Sequence, residues 1–401
     1  MFSSLKFKVI LFGFIFTFFS SFGQSYFLGL FNSSIRDALS ITHGQFGSIY
    51  ASATLCSSLL LIWVGKKIDD VNIFKFALFV IILLSFACFF FSKVSSVLLL
   101  FIAIFLMRFS GQGMMSHTAS TTISRYFTKT RGRALSISWF GLSSAEFIMP
   151  VLMVYLLTII DWQNLWLIFS ITVLIILPIA SFLLIKNLNL DSREDSNKDI
   201  KEVEIKQWKR VEVIKDYRFY IISSNMLAMP WIFTGFAVFQ SFIQTSKGWG
   251  PYVIAQSFMS YSIFSVLTLF LSGFLIDKFT SRKLLIYMNI PLLLSVIVLF
   301  FFDTPVTAFI FLGLVGISNG FANILGSSTW AELYGVKYLG SIKALTTALM
   351  VFATAFGTAL FGYLIDIGFS VGDIAVVSGS YIFISLILLF LVRKKLNPVI
   401  I

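Results

Sequence analysis

The chain has 401 residues, of which 58% are hydrophobic and 12% are charged, with a formal net charge of +12 and a mean hydropathy of +0.93. Soluble proteins are about 45–50% apolar and about 25% charged, so this composition indicates a membrane protein and excludes a soluble one. Two His and two Cys form no metal-binding pattern, and we expect no metal and no cofactor.

Twelve apolar stretches are long enough to cross a bilayer, which takes about 20 residues each. The predicted fold is therefore an all-α polytopic membrane protein with twelve transmembrane helices. The first stretch begins like a signal peptide, but it is too long for one and no small-residue cleavage site follows, so we expect it to be retained. The predicted spans are 8–31, 44–64, 73–92, 95–120, 134–158, 163–186, 218–243, 252–273, 283–302, 305–328, 343–364 and 374–392.

The loop after the second span carries Gly65 and Asp69 with lysines between and after them. A small residue lets two helices cross closely, and an acid beside basic residues can bridge to the end of a facing span. Such a contact could hold one side of a membrane protein closed in one state and release it in another. The alternative is a loop that only anchors the topology.

Arg108 lies near the middle of the fourth predicted span, within an otherwise apolar run. An arginine at a helix centre costs roughly 2.5–3.5 kcal/mol, so its side chain should face a cavity or a partner. The following Gly111 and Gly113 would permit close approach of another helix. Because Arg stays protonated, we expect it to bind an anion or to act on a neighbouring acid. The alternative is a structural ion pair.

Glu146 is the only carboxylate well inside a predicted span, the fifth. Spans four and five are joined by a short loop and should be antiparallel neighbours. Measured from that loop at 1.5 Å per residue, the depths of Glu146 and Arg108 differ by roughly 6 Å. We therefore expect Glu146 to hold Arg108 when ionised and to release it on protonation, as a proton-coupling residue. The alternative is a permanent ion pair.

Residues 187–217 form the only long polar segment, in which acids and bases alternate. This segment is predicted to be a solvated cytoplasmic linker. It would separate an N-terminal six-helix bundle, residues 1–186, from a C-terminal six-helix bundle, residues 218–401.

The second half of the chain repeats polar features of the first half at one constant offset of 208 residues. The chain is therefore predicted to contain two pseudo-symmetric copies of one six-span unit, which is the architecture of secondary transporters. The pairs at this offset include Gly65 and Gly273, Asp69 and Asp277, Tyr126 and Tyr334, and Gly132 and Gly340.

The repeated Gly-x-x-x-Asp motif, which continues to Arg282 in its second copy, resembles the cytoplasmic loop signature of the major facilitator superfamily. The inner Gly of that signature is Asn72 in the first copy and Thr280 in the second. Arg108 and the glycines after it loosely resemble the fourth-span signature of the same superfamily. The loop after span ten, residues 331–344, resembles that of bacterial relatives of monocarboxylate and oxalate/formate carriers.

The resemblance covers the whole chain and implies alternating access to a central cavity lined by spans one, four, seven and ten. Pro230 interrupts the seventh span, where the helix could be discontinuous or simply kinked. The predicted gating residues are Gly65, Asp69, Gly273, Asp277 and Arg282. The predicted substrate-binding residues are Arg108, Gln24, Tyr26, Asn225, Asn319 and Asn323.

Nearly all of the 30 Lys and Arg residues fall in alternate loops, which predicts that both termini are cytoplasmic. These loops would face anionic lipid headgroups in the inner (plasma) membrane, which explains the positive charge without nucleic acid. We expect a monomer whose partners are the lipid bilayer and a small-molecule substrate.

Together these features predict a secondary transporter, not an enzyme, that carries a small organic anion such as a carboxylate by proton symport. No phosphate-binding loop is present, which argues against ATP as the energy source. The alternatives are a uniporter or exporter of a neutral solute, and a transport-inactive membrane sensor.

Overall fold

The fold is known from a computed structural model, which describes residues 4–127, 130–186 and 206–398, without the side chains of residues 4, 69, 131, 277 and 327. Within these ranges all regular secondary structure is helical. Twelve helical stretches are long and apolar enough to cross a membrane. The predicted all-α fold with twelve spans is therefore confirmed.

The chain divides into two compact units, with the division between residues 199 and 200. Six of the twelve membrane-crossing stretches lie in each unit, as the duplication predicted. The predicted domain boundaries at residues 186 and 218 stay predictions, because residues 187–205 lie outside the described ranges.

Over its described residues, 4–127 and 130–186, the first unit contains nine α-helices, and some spans consist of more than one of them. Two 3₁₀ segments, Ser21–Gly23 and Gly65–Asp69, and one π-helical segment, Arg108–Met115, complete its regular structure. The α-helices are α1 Ser4–Ser20, α2 Ser25–Gly29, α3 Asn32–Leu39, α4 His43–Val64, α5 Ile73–Phe91, α6 Val97–Met107, α7 Ser116–Tyr126, α8 Arg131–Leu156 and α9 Trp162–Ile185.

Between residues 206 and 398, the part of it that the structure describes, the second unit contains a further nine α-helices and a 3₁₀ segment, Arg393–Lys395. The α-helices are α10 Arg210–Lys215, α11 Tyr217–Val238, α12 Gln240–Ser246, α13 Val253–Phe279, α14 Ser281–Met288, α15 Ile290–Phe301, α16 Pro305–Tyr334, α17 Leu339–Asp366 and α18 Val371–Val392.

Spans four and ten are longer than their apolar windows suggested. They continue past the predicted ends, residues 120 and 328, to Tyr126 and Tyr334. Helical hydrogen bonding does not stop where hydropathy falls, so polar residues at a membrane boundary can extend the helix. The two end residues are 208 positions apart, which is the offset of the duplicated motif.

The two units use the same packing between equivalent spans. In the first unit α1 packs on α8, and in the second α11 packs on α17. A Cβ on Gly141 of α8 would stand 2.1 Å from the carbonyl oxygen of Phe14, and a Cβ on Gly357 of α17 would stand 2.1 Å from that of Trp231. Each crossing therefore depends on a glycine that lets the backbones of the two helices come into contact.

Many large apolar side chains face outward, as expected where lipid is the solvent. Trp63, Phe274 and Leu391 are 72%, 75% and 70% exposed. Apolar surface of this extent is unusual on a soluble monomer and is typical of a surface covered by lipid.

The described end of the predicted linker, residues 206–217, packs against the second unit. The backbone N–H of Trp208 donates to the carbonyl oxygen of Tyr334 at 3.0 Å, and their rings are 5.4 Å apart. The backbone N–H of Lys337 donates to Oε1 of Gln207 at 2.9 Å. This part of the segment is therefore docked on the loop between spans ten and eleven.

Candidate functional site

Span one is interrupted partway along its length. Helix α1 ends at Ser20, the 3₁₀ segment Ser21–Gly23 follows, Gln24 is extended with φ −80° and ψ 151°, and a new helix begins at Ser25. An interruption of this kind frees backbone carbonyl groups that a continuous helix would occupy. The predicted site residue Gln24 thus lies at the interruption itself.

Aromatic packing holds the interrupted segment in place. Phe22 and Phe27, on either side of the interruption, stack with their ring centroids 5.1 Å apart. Both rings also contact Trp166 of span six, which is fully buried. Because these large rings pack on a neighbouring helix, the interruption is a fixed part of the first unit.

Span four departs from α-helical geometry at the point where it meets this interruption. Its residues 108–115 are π-helical. A Cβ on Gly23 would stand 2.3 Å from both the Gln112 nitrogen and the Met107 oxygen, and a Cβ on Gly111 would stand 2.6 Å from the Gly23 nitrogen. The close approach expected at Gly111 is therefore present, and π-helical turns are frequent at functional sites.

Arg108 lies at the start of the π-helical segment and is only 3% exposed. Its Nη1 donates to the Gly23 carbonyl oxygen at 3.0 Å and to Ser25 Oγ at 3.3 Å. The guanidinium carbon is 5.4 Å from the centre of the Tyr50 ring, whose hydroxyl donates to Ser25 Oγ at 2.9 Å. The carbonyl group freed by the interruption is thus bound by a buried cation.

The charge of Arg108 meets no carboxylate within 4.0 Å among the described residues. Its Nε is buried and donates to no acceptor there. Nε and Nη2 form the edge of the guanidinium that can bind a carboxylate with two hydrogen bonds. The described contacts therefore occupy Nη1 and leave this edge available.

Glu146 of α8 is also buried, at 8% exposed, but it does not pair with Arg108. No described side chain forms a hydrogen bond or an ion pair with its carboxyl group within 4.0 Å. It lies near enough to Tyr26 of span one to interact with it electrostatically. The ion pair predicted between Glu146 and Arg108 is therefore absent.

The path of span one explains why the ion pair does not form. The π-helical segment packs on α1 and on the 3₁₀ segment of span one, whereas α8 packs on α1, α2 and that same 3₁₀ segment. Span one therefore lies between the two charged residues, and its carbonyl group competes for the arginine. The depth estimate assumed straight α-helices and could not include either effect.

In the second unit, Asn319 and Asn323 of span ten line one cavity of about 210 Å³. Nδ2 of Asn319 donates to Ser265 Oγ at 2.9 Å. The rest of the described lining is mainly apolar and rich in methionine, and it includes no Asp, Glu, Lys or Arg. Other residues of the lining are Ser223, Met226, Leu227, Met229, Pro230, Phe233, Met288, Trp330, Thr346 and Met350.

Asn225, the other amide predicted to bind substrate, lies on a different face of span seven. It is fully buried, and its side-chain Nδ2 lies 3.5 Å from Ser385 Oγ. Its backbone carbonyl oxygen accepts a hydrogen bond from Asn289 Nδ2 at 2.5 Å. The sequence interpretation missed Asn289, although a polar residue two positions before Pro291 inside an apolar run was a usable signal. The structure thus separates Asn225 from the cavity that contains Asn319 and Asn323.

Of the two alternatives at Pro230, a discontinuous helix or a simple kink, the structure has the continuous helix, because α11 runs through Pro230 to Val238. The interruption occurs in span one instead. Span seven ends at Phe239, after which α12 begins.

The gating residues predicted in the first unit lie at the end of span two. The Gly65 carbonyl oxygen is 3.0 Å from Nε2 of His117 in span four. Arg125 donates to the carbonyl oxygen of Ile68 at 3.2 Å. The Asp69 side chain lies outside the described residues.

In the second unit, Gly273 lies within α13, and the Asp277 side chain is outside the described residues. Nε of Arg282 is 3.7 Å from Glu332 Oε2, and its Nη1 donates to Asn397 Oδ1 at 2.7 Å. The second copy of the loop motif thus connects span nine with the end of span ten and with the C-terminal segment.

Within the described ranges, no group of three His, Cys, Asp or Glu side chains could hold a metal ion. The site in the first unit can therefore be described by its own groups: a buried cation, freed carbonyl oxygens, hydroxyl groups and one buried carboxyl.

Comparison with known proteins identifies the family. The family model described as Major Facilitator Superfamily matches residues 13–358 of the chain. A bacterial homologue of the human lysosomal transporter Spinster, in an inward-facing and unoccupied conformation, superposes with a TM-score of 0.73 at 15% identity, covering 99% of this chain and 98% of that one. The nucleoside transporter NupG superposes with a TM-score of 0.71 at 13% identity, covering 98% and 99%.

No curated protein matches the chain by sequence. At identities of 13–15%, the likeness to the solved structures shows a shared fold but does not show a shared substrate. The match to the superfamily spans most of the chain, and the likeness to solved transporters spans nearly all of it. The chain therefore belongs to the Major Facilitator Superfamily, and it is a multi-pass membrane transporter that works by alternating access.

Proposed function

We propose that the protein transports a small organic anion, such as a carboxylate, together with a proton. The observation that carries this proposal is the buried guanidinium of Arg108, which contacts a carbonyl oxygen, a hydroxyl and an aromatic ring but no described carboxylate. A buried charge without a counter-ion is costly. An anionic substrate would supply the missing charge and would occupy the Nε–Nη2 edge.

The proton would be carried by Glu146, acting through span one rather than by direct contact with Arg108. The short helix α2 begins with Ser25, which accepts from Arg108, and continues with Tyr26, which interacts with Glu146. A change of charge on Glu146 would therefore act on the segment that positions the arginine. The ligand and the proton would then favour the same conformational state.

The loop motif belongs to the proposal as the gate. A loop that joins the ends of adjacent spans can stabilise one access state without contacting the substrate. The described contact between Gly65 and His117, and those of Arg282 with Glu332 and Asn397, support that role. We further propose a monomer in the inner membrane with both termini in the cytoplasm, on the distribution of basic residues.

A second candidate is the uniport or export of a neutral solute. It is favoured by the 210 Å³ cavity of the second unit, whose described lining offers amide and hydroxyl groups but no charged side chain. Amides and hydroxyls recognise a neutral polar molecule by hydrogen bonds alone.

The experiment is uptake by the purified full chain in proteoliposomes, with and without an inward proton gradient. The panel would include labelled monocarboxylates and dicarboxylates and, as neutral solutes, a sugar and a nucleoside, since one structural neighbour is a nucleoside transporter. We expect a carboxylate to accumulate with the gradient and Arg108→Gln to abolish its uptake. Arg210→Gln, which removes an exposed arginine, is the matched control. Gradient-independent uptake of a neutral solute alone would support the second candidate.

A further inference from the structure

A second cavity in the C-terminal unit is strongly basic. It lies where spans eight, nine and twelve end, and its volume is about 720 Å³. Among the residues whose side chains the structure describes, the lining includes no acidic one and four cationic ones: Arg282, Lys283, Arg393 and Lys394. The cavity is therefore suited to an anionic ligand.

Most of this charge is not neutralised by the protein. Arg282 is the exception, because its Nε is 3.7 Å from Glu332. Among the described residues no carboxylate lies within 4.0 Å of Lys283, Arg393 or Lys394. Arg393 instead stacks over the Phe390 ring at 3.5 Å. Three cations thus face one cavity without an acidic partner in the described part of the chain.

The remaining wall of the cavity is mainly apolar and is exposed at the protein surface. Phe279 and Tyr287 line it and are 43% and 57% exposed. They belong to the ends of α13 and α14, so they continue the apolar surfaces of two membrane-crossing helices. A ligand that fills the cavity would therefore need an anionic head and an apolar body directed along the membrane.

We propose that this cavity binds one anionic phospholipid, with its phosphate between Lys283 and Lys394 and its acyl chains against Phe279 and Tyr287. The charge complementarity and the position at the end of the spans carry the assignment. Basic pockets between transmembrane helices are the recognised way in which a membrane protein selects acidic headgroups. A free phosphate ion would satisfy the lysines but would leave the aromatic wall uncovered.

Such a lipid would connect two parts of the second unit. Arg282 donates to the Leu396 carbonyl oxygen at 3.1 Å and to Asn397 Oδ1 at 2.7 Å, so the cavity already joins the loop between spans eight and nine to the C-terminal segment. Bound lipid would strengthen this connection by adding a phosphate between the lysines of both segments.

Thermal unfolding of the purified full chain in neutral detergent tests the proposal. Phosphatidylglycerol, phosphatidylcholine of the same acyl chains and inorganic phosphate would be titrated separately. We expect phosphatidylglycerol to raise Tm, whereas phosphatidylcholine and phosphate do not. The variant Lys283→Gln/Lys394→Gln should need roughly 25-fold more phosphatidylglycerol for the same rise.

The matched control is Lys75→Gln/Lys343→Gln, which removes two exposed lysines outside the cavity and should respond as the wild type does. Native mass spectrometry of the wild type in an equal mixture of the two lipids provides a readout without a variant, and phosphatidylglycerol should be retained selectively. Equal retention of both lipids, equal protection by inorganic phosphate, or an unchanged titration of the cavity variant would each overturn the proposal. None of these results depends on which solute is transported.

Discussion

Gly23 of span one and Gly111 of span four are in direct backbone contact. A Cβ on Gly111 would stand 2.6 Å from the Gly23 nitrogen and 2.9 Å from its Cα. This contact occurs where span one is interrupted and where span four is π-helical. The same crossing gives Arg108 access to the Gly23 carbonyl oxygen, so the position of the cation depends on the absence of two side chains.

Replacing Gly111 with Ala should therefore damage the site. The new methyl group would meet backbone atoms, which cannot rotate away, so spans one and four must separate at a cost of about 1–3 kcal/mol. Thermal unfolding in detergent would show the loss of stability, and uptake assays the loss of transport. Gly113→Ala is the matched control, because its Cβ would meet mainly the flexible Leu61 side chain, at 3.3 Å. Equal Tm values for the two variants would contradict this account of the crossing.

Replacing Arg108 with Lys should weaken substrate binding while the positive charge is kept. An ammonium group cannot offer the two parallel donors of the Nε–Nη2 edge. Loss of one charge-assisted hydrogen bond is worth about 1.5–3 kcal/mol, so the apparent KM for the anion should rise ~10-fold or more. The concentration dependence of initial uptake measures this. An unchanged KM in a normally folded Arg108→Lys variant would show that the arginine has only a structural role.

Glu146→Gln should separate exchange of substrate from its accumulation. The amide has nearly the shape of the protonated acid and cannot lose a proton, so the transporter stays in the form that binds substrate. We expect counterflow exchange to persist and to become independent of pH, while an inward proton gradient no longer drives accumulation. Both quantities are measured in the same proteoliposomes. Accumulation at the wild-type level by Glu146→Gln would rule out this residue as the proton carrier.

Asp216 neutralises a buried cation in the second unit, where Arg218 Nη2 lies 2.7 Å from its Oδ2. The Tyr334 hydroxyl donates to the same oxygen at 3.1 Å. Asp216→Ala leaves Arg218 without its carboxylate and should cost about 3–5 kcal/mol. Tyr334→Phe removes only one hydrogen bond and should cost about 1 kcal/mol. Thermal unfolding of both variants tests the order, and a greater loss for Tyr334→Phe would contradict it.

Hydropathy predicted the number of spans and the duplicated motif predicted the two units, because both depend on composition and repeats along the chain. The interruption at Gln24 was not predicted, since no proline marks it, although Ser21, Gly23 and Ser25 beside it are small or polar residues. Pro230 could not be interpreted from sequence alone, because a proline can break a transmembrane helix or remain inside it, and α11 continues through it.

The side-chain directions within the spans were the least predictable property. A transmembrane helix is largely apolar on every side. The periodicity of span seven therefore does not reveal whether the face that carries Asn225 lines the cavity. The absence of the expected Arg108–Glu146 pair from this structure has a related reason. Spacing along two helices gives depth, but it does not reveal that a third segment lies between them.

The two equivalent positions of the duplicated loop motif, Thr280 and Asn72, differ in backbone conformation. We therefore predict that a glycine substitution changes stability in opposite directions at the two positions. Thr280 has φ 68° and ψ 148°, a backbone region that is nearly restricted to glycine, and its buried hydroxyl has no described partner. Asn72, 208 residues earlier, has the ordinary values φ −54° and ψ 131°, and its side chain accepts from the backbone N–H of Phe74 at 2.9 Å.

Thr280→Gly should therefore stabilise the protein. Relief of the strained conformation is worth about 1–3 kcal/mol, and the greater unfolded-state freedom of glycine costs about 0.5–1 kcal/mol. The net gain should be about 1 kcal/mol, measured as a higher Tm in detergent. Asn72→Gly is the matched control and should lower Tm, because it removes a helix cap and adds the same entropy cost without relieving strain. A decrease of Tm in both variants would show that the backbone at Thr280 stores no relievable strain.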